Sequence, residues 1–252
     1  MLDLSVIPSE TIVGKILRLP LKLVPPGAVV PILQGKLTGK KWIVGSSTHG
    51  CWFGTFCHEK QIFFSKVIKK GCVVYDIGAN AGFYTLLFSV LAGPQGRVVA
   101  FEPSPRNSVY LKRHLSLNQC DNVEVIEAAV SDKDGYACLE KGSRGSTDHL
   151  SEKCDFKVRT ICLDNMVYKE SNPPADYIKI NAEGSEMLIL SGAKRLLSEK
   201  SPVIFLSLHN DELERQCRNL LESLNYYLEI IPGSKSKNEV VAIKNKRKEE
   251  YA

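Results

Sequence analysis

From Gly71 onward, compact runs of β-branched and apolar residues alternate with longer amphipathic or apolar stretches, and this alternation constrains the chain more than any other feature. Parallel strands need crossover connections of about a dozen residues or more, usually helices, so the pattern reads as a doubly wound α/β sheet. The strands are expected at Cys72–Tyr75, Arg97–Phe101, Val123–Val130, Tyr177–Ile180 and Pro202–Leu208. Helices fall between them: from Gly82 to Ala92, stopping at Gly93-Pro94; from Pro105 to Leu117; and from Ser185 to Glu199. A further helix sets Leu213, Cys217, Leu220, Leu221 and Leu224 on one face and Glu212, Arg215, Arg218 and Glu222 on the other. Tyr227–Ile231 and Val240–Ile243, separated by Pro232-Gly233-Ser234, read as an antiparallel hairpin. The expected architecture is a mostly parallel, seven-stranded sheet closed at one edge by that hairpin. Tyr136–Leu139 and Lys157–Leu163 read as short extended pieces around a polar loop, Lys141–Asp148.

Residues 1–65 read differently, because Pro20, Pro25, Pro26, Pro31 and several glycines interrupt every apolar run. They are read as an N-terminal cap on a main domain of residues 66–244, with a basic tail at 245–252. With 252 residues, 44% of them hydrophobic, there is material for one large core. The 33 Lys and Arg against 28 Asp and Glu are a mild excess, partly gathered in the tail, and argue only weakly for a nucleic-acid partner. Eight cysteines without a CxxC pair read as reduced, mostly buried thiols, and no metal-ligating set is read. The first residues carry Asp3 and Glu10 instead of a basic then apolar run, and charge, Pro or Gly breaks each long apolar stretch. The expectation is a cytoplasmic chain without a membrane span.

In an open parallel sheet the ligand lies beyond the carboxyl ends of the strands. The residues there are Asp76, Glu102, Ser131, Asn181 and His209. The turn Asp76-Ile77-Gly78-Ala79-Asn80-Ala81-Gly82 spaces its glycines as Gly-x-x-x-Gly, which does not satisfy the GxGxxG of dinucleotide sites and weakens a nicotinamide reading. Glu102, 24 residues after Gly78, stands where an acid accepts hydrogen bonds from an adenosine ribose; the alternative is a cap on the helix behind Pro103 and Pro105.

Four segments then occur in order: Tyr75-Asp76-Ile77-Gly78-Ala79-Asn80-Ala81-Gly82-Phe83-Tyr84, Ala100-Phe101-Glu102-Pro103, Ala129-Val130-Ser131-Asp132, and Lys179-Ile180-Asn181-Ala182-Glu183-Gly184-Ser185-Glu186. Together they resemble the FkbM family of S-adenosylmethionine-dependent methyltransferases, over roughly residues 54–208. The resemblance implies the class I methyltransferase sheet, S-adenosylmethionine as donor, and O-methylation of a hydroxyl on a sugar, glycan or other small natural product. It also implies that Asp76, Gly78, Ala79, Asn80 and Phe83 hold the methionine end of the donor. Glu102 and Pro103 would meet the ribose, Ala129, Val130, Ser131 and Asp132 the adenine, and Asn181 and Glu183 would line the floor near the methyl group. This chain departs from the family at Asn181, where Asp is usual, and at Ser207, where Glu is frequent.

Methyl transfer from a sulfonium needs alignment first and a proton acceptor second. The candidate acceptor is the neutral imidazole of His209, with a pKa near neutrality, or else His209 caps the following helix. Glu183 either orients the acceptor, the amine of the donor or a cation, or caps the helix near Ser185. Lys179 either faces a pocket or snorkels from a strand edge. Two other functions compete: a nucleic-acid methyltransferase, motivated by the basic tail, and a binding module that has lost turnover, motivated by Asn181 and Ser207.

Overall fold

The computed structural model describes Thr11 and residues 23–140, 149–150, 154–234 and 236–245. The expected loop at Lys141–Asp148 and all of the basic tail after Asn245 lie outside the described residues, as does most of the first part of the cap.

The cap begins with a two-stranded ribbon, β1 (Val29–Pro31) and β2 (Lys41–Ile43), followed by the helices α1 (His49–Phe53) and α2 (His58–Val67). Then come β3 (Val73–Ile77), α3 (Phe83–Ala92), β4 (Arg97–Phe101), α4 (Pro105–Asn118), β5 (Val123–Ile126), β6 (Ala129–Ser131) and β7 (Gly135–Glu140). They are followed by β8 (His149–Leu150), β9 (Phe156–Cys162), α5 (Leu163–Tyr168) and β10 (Tyr177–Ile180). The chain closes with α6 (Glu186–Ser191), α7 (Lys194–Glu199), β11 (Val203–Ser207), α8 (Asp211–Ser223), β12 (Tyr226–Ile230) and β13 (Glu239–Lys244).

The main sheet has seven strands in the order β12-β13-β11-β10-β3-β4-β5. The five from β11 to β5 are parallel, and β13 runs antiparallel between β11 and β12. The central strands are buried on both faces, which is why they read as unbroken apolar runs. One face is covered by the cap together with α3 and α4, where Trp42, Phe64, Leu86, Leu87 and Phe88 pack on Val74, Val98 and Phe205. The other is covered by α5 to α8, with Leu163, Ile189, Leu196 and Cys217 on Tyr75, Ile178 and Ile204.

Two expected elements divide. The run Val123–Val130 turns at Glu127, whose carboxylate is drawn to Ser108 and Lys112 of α4, so β5 stays in the main sheet and β6 leaves it. β6 joins a smaller sheet in the order β6-β9-β7-β8. The expected helix to Glu199 breaks at Gly192, which lies against β6: a Cβ there would fall 2.2 Å from the Ser131 carbonyl oxygen. The expected reduced state of all cysteines is also corrected, because Cys138 of β7 and Cys154 before β9 form a disulfide. Within the ladder Cys138 faces Lys157, and Cys154 reaches it from the chain just before β9, which no spacing rule could reveal. Among the described residues no helix is long and apolar enough to cross a membrane.

Candidate functional site

At the carboxyl end of β3 the chain turns sharply into α3. Gly78 has φ +73°, and a Cβ there would lie 1.9 Å from the Asn181 carbonyl oxygen beyond β10, so only glycine lets the two loops meet. The backbone N–H groups of Gly78 and Ala79 both donate to the Phe101 carbonyl, at 3.0 Å each. Asn80 N–H donates to Glu102 (2.6 Å), Ala81 N–H to the Asn80 side chain (2.7 Å), and Gly82 N–H to the Ala79 carbonyl (2.9 Å). Every amide from Gly78 to Gly82 is thereby bonded within the protein, so this turn offers no open nest of N–H groups to a pyrophosphate. That is the physical reason, beyond spacing, why a dinucleotide does not suit it.

Beneath the turn, Asp76 is fully buried. One oxygen accepts the Thr85 hydroxyl at 2.6 Å and the other faces the Lys179 ammonium at 3.0 Å. Lys179 also donates to the carbonyls of Gly78 (2.8 Å) and Ile77 (3.2 Å). Lys179 is therefore a buried residue of a central strand that fixes the turn from below, not a snorkelling edge lysine. Asp76 lines neither of the cavities described next; it holds the loop that does the lining.

Two cavities meet at the turn, sharing Gly78, Asn80, Asn181 and Glu183. The first lies over β4 and is walled by Phe101, Glu102, Pro103, Asn107, Ala128, Ala129, Val130 and Leu139. Ser131 and Asp132, expected here, line neither cavity, because the chain has already left along β6. The second, about 210 Å³, runs under the cap between Trp42, Ser47, Thr48, Cys51 and Phe56 on one side and Ala79, Phe83, Tyr84 and Lys179 on the other. Among the residues of its wall, Trp42 carries a buried indole Nε1 without a hydrogen-bond partner. Burial first, and then the neighbouring Cys57, hold the Tyr84 phenol well above its usual range, so it is a neutral O–H donor. The Gly turn and the acids were legible in the sequence; the cap residues were not, since they come from a region without periodicity.

Glu102 is the charged group of the first cavity. It accepts from Asn80 N–H and from Ser104 N–H (2.9 Å), and the Asn107 amide stands at 3.4 Å. Burial dominates these bonds and raises its carboxyl to about 7. A carboxylate has about four lone-pair sites, so capacity remains for further donors from the cavity.

Past β10, Glu183 sits in a left-handed conformation (φ 48°). His209, after β11, places Nδ1 2.9 Å from the fully buried Glu186 and Nε2 3.5 Å from Glu183. Hydrogen bonding to Glu183 and Glu186 raises the imidazole to about 10 against the opposing effect of burial. Glu186 lies below its ordinary value: burial alone would raise it, but His209 and the amides of the Glu183 loop outweigh that. Its carboxylate accepts from Ala182 N–H (3.1 Å) and Gly184 N–H (3.1 Å). The expectation of a neutral His209 with a pKa near neutrality is thus corrected: it is an imidazolium, outside the cavity walls, clamped between two acids. Glu186 is the residue that sequence reasoning passed over, although its place at the start of α6 marks it as a binder of loop amides. At Ser207 the hydroxyl donates to Glu239 of β13, its register partner, at 2.8 Å, and Glu239 also accepts from Lys60 of α2 at 2.8 Å. A carboxylate is therefore present beside Ser207 after all, supplied by the neighbouring strand.

Comparison with known proteins places this geometry. A solved structure of methyltransferase FkbM from Methylobacillus flagellatus is similar with a TM-score of 0.52 at 18% identity, over 68% of this chain and 43% of that one. Among curated proteins, a hexuronic acid methyltransferase from Haloferax volcanii is 26% identical over 134 residues, 52% of this chain and 54% of the relative. A ribosomal protein L11 methyltransferase from Acetivibrio thermocellus is 28% identical over 134 residues, 52% of this chain and 37% of the relative. The chain thus spans only about a third to a half of the length of these curated relatives. The model of the methyltransferase FkbM domain matches residues 76–232, from the buried acid under the glycine turn to the loop after β12, and this chain belongs to that family.

Proposed function

We propose that the chain transfers a methyl group from S-adenosylmethionine to a hydroxyl of a sugar, glycan or similar small acceptor. The observation that carries the donor reading is Glu102, a carboxylate held in a buried cavity by two backbone amides with acceptor capacity to spare. The fit is good: Glu102 would receive the ribose hydroxyls, and Ala128, Ala129, Val130 and Leu139 give apolar walls for a base. The unpartnered indole N–H of Trp42 suits the methionine carboxylate in the second cavity. When bound, the donor supplies an electrophilic methyl group. Residues 1–65 form the cap in this reading, of which Trp42, Ser47, Thr48, Cys51 and Phe56 roof the second cavity.

The chain's own work is alignment and proton removal. His209, already protonated, does not serve as the base in this reading; it pins Glu183 in its left-handed turn. Glu183, on the wall shared by both cavities, orients the acceptor hydroxyl and takes its proton. Asn181 beside it is an amide and serves only for positioning. The hexuronic acid named for the Haloferax relative supports a hydroxylated sugar acceptor, and a sugar acid is the first to try.

The test is transfer of labelled methyl from S-adenosylmethionine to a panel of hexuronic acids, neutral sugars and oligosaccharides, with RNA and ribosomal protein alongside. Label on a sugar oxygen is expected. Label confined to RNA or protein would overturn the acceptor reading. Substituting Glu183→Gln should lower kcat by about a hundredfold or more while leaving affinity for S-adenosylhomocysteine within about twofold.

A further inference from the structure

We propose that the Cys138–Cys154 bridge is a reversible thiol switch on the first cavity, whose opening loosens the Leu139 wall and weakens cofactor binding. The inference rests on the donor reading above. Leu139, adjacent to Cys138, is 1% exposed and lines the first cavity opposite Glu102 and Pro103. It belongs to the smaller sheet, whose own core among the described residues is Ala129, Leu139 and Val158 with Phe156 packed against them. Three buried side chains give little hydrophobic stabilisation, so this sheet is expected to open at lower free energy than the main one. The bridge fastens β7 to the chain entering β9 at the end where Asp155 N–H donates to the Leu139 carbonyl. A cross-link there restricts the opened state of the ladder and keeps Leu139 seated.

The bridge is also open to a reductant, because Cys154 is exposed and Cys138 half-buried; of the thiols, Cys51, Cys72, Cys162 and Cys217 are buried and Cys57 and Cys120 half-buried. A thiolate of a small dithiol attacks one sulfur of the bridge and displaces the other as a thiolate, giving a mixed disulfide. The second thiol of the reductant then displaces the protein sulfur and closes the reductant's own disulfide. Two electrons and two protons pass to the protein, leaving Cys138 and Cys154 as thiols and the dithiol oxidised. Reoxidation by a disulfide of the same class reverses each step.

The experiment measures the Kd for S-adenosylhomocysteine by calorimetry on oxidised protein and on protein reduced with dithiothreitol. The bridge is assayed by mass spectrometry after alkylation, and backbone hydrogen exchange of residues 135–140 and 156–162 is followed in both states. Reduction should weaken binding by about tenfold and speed exchange in those two strands while β3 and β10 stay protected. The C138S/C154S variant should sit at the weaker value with or without reductant. Equal Kd values in the two states would overturn the proposal, as would a reductant effect that persists in C138S/C154S or oxidised protein that lacks the bridge. Should the variant fail to fold, the exchange difference in the unmodified protein decides alone, and unchanged exchange overturns the switch. Failure to bind S-adenosylhomocysteine in either state would sink the donor reading, while the exchange measurement still judges the switch.

Discussion

Glu102 sets the function of this chain against its stability. Its carboxyl is raised from the ordinary 4.5 to about 7 by burial, so between those values the folded chain holds a proton that the unfolded chain lacks. Stability therefore falls as pH climbs through that window and is level above it. Glu102→Gln removes the titration: relative to the parent, the variant should gain thermal stability as pH rises from 5 to 8. The gain is at most about 3 kcal/mol, reduced by the loss of one acceptor for Asn80 or Ser104. The same change should weaken S-adenosylhomocysteine binding by at least about tenfold. In the parent, affinity should drop by about tenfold between pH 8 and pH 6, since the ionised carboxylate is the form that accepts ribose hydroxyls; a flat profile would refute that role. His209 has the same slope in a higher window. Its imidazole is raised from 6.5 to about 10, so its contribution is complete below 6.5 and is lost as pH rises towards 10. With 28% of the side chain exposed, solvent screening leaves about 2 kcal/mol at stake. His209→Gln should flatten the stability profile between pH 7 and 10 in chemical denaturation.

Among the elements, the β3–α3 turn is the least tolerant. Gly78→Ala forces a left-handed alanine into the Asn181 carbonyl, which should cost about 3 kcal/mol or more by denaturant titration. The turn, the parallel strands and the amphipathic α8 were legible because each rests on local chemistry: a glycine that cannot be replaced, an apolar run buried on both faces, a face of leucines at helical spacing. Asn210 even caps α8 by accepting from Leu213 N–H at 2.8 Å. What stayed illegible depends on partners far away in sequence. Val123–Val130 was read as one strand, although Glu127-Ala128-Ala129 favour strands weakly, and Ser108 and Lys112 on another element hold Glu127 where it divides. His209 looked like a base because its own neighbours in sequence carry no clamp; Glu183 and Glu186 reach it across a strand end. Cys138 and Cys154 were read as free for the same reason, since they meet only where the chain entering β9 folds back past the end of its ladder with β7.

At the scale of the whole molecule, the cap is tied to the sheet by apolar packing and by the ion pair of Lys60 with Glu239, 179 positions apart. Both side chains are largely buried, 11% and 20% exposed, so removing one partner strands the other. Lys60→Met should destabilise the fold by about 3 kcal/mol, and Lys60→Met with Glu239→Gln should recover part of that. A double-mutant cycle showing simple additivity would contradict the pairing. Exchange should rise first in α2, opening the second cavity while the main sheet holds.

The self-contained wiring of the glycine turn bears on how such a chain can diversify. Five consecutive amides already have partners before any ligand arrives, so the rim is formed in advance and accepts one kind of guest. To receive a guest of another shape, a descendant would have to rewire the amides, Glu102 and the Asn181 contact together. The roof over the second cavity carries no such mutual dependence, and single substitutions at Ser47, Thr48 or Phe56 could retune it. Lineages built on this scaffold should therefore scatter widely in what they modify while staying faithful to what they carry.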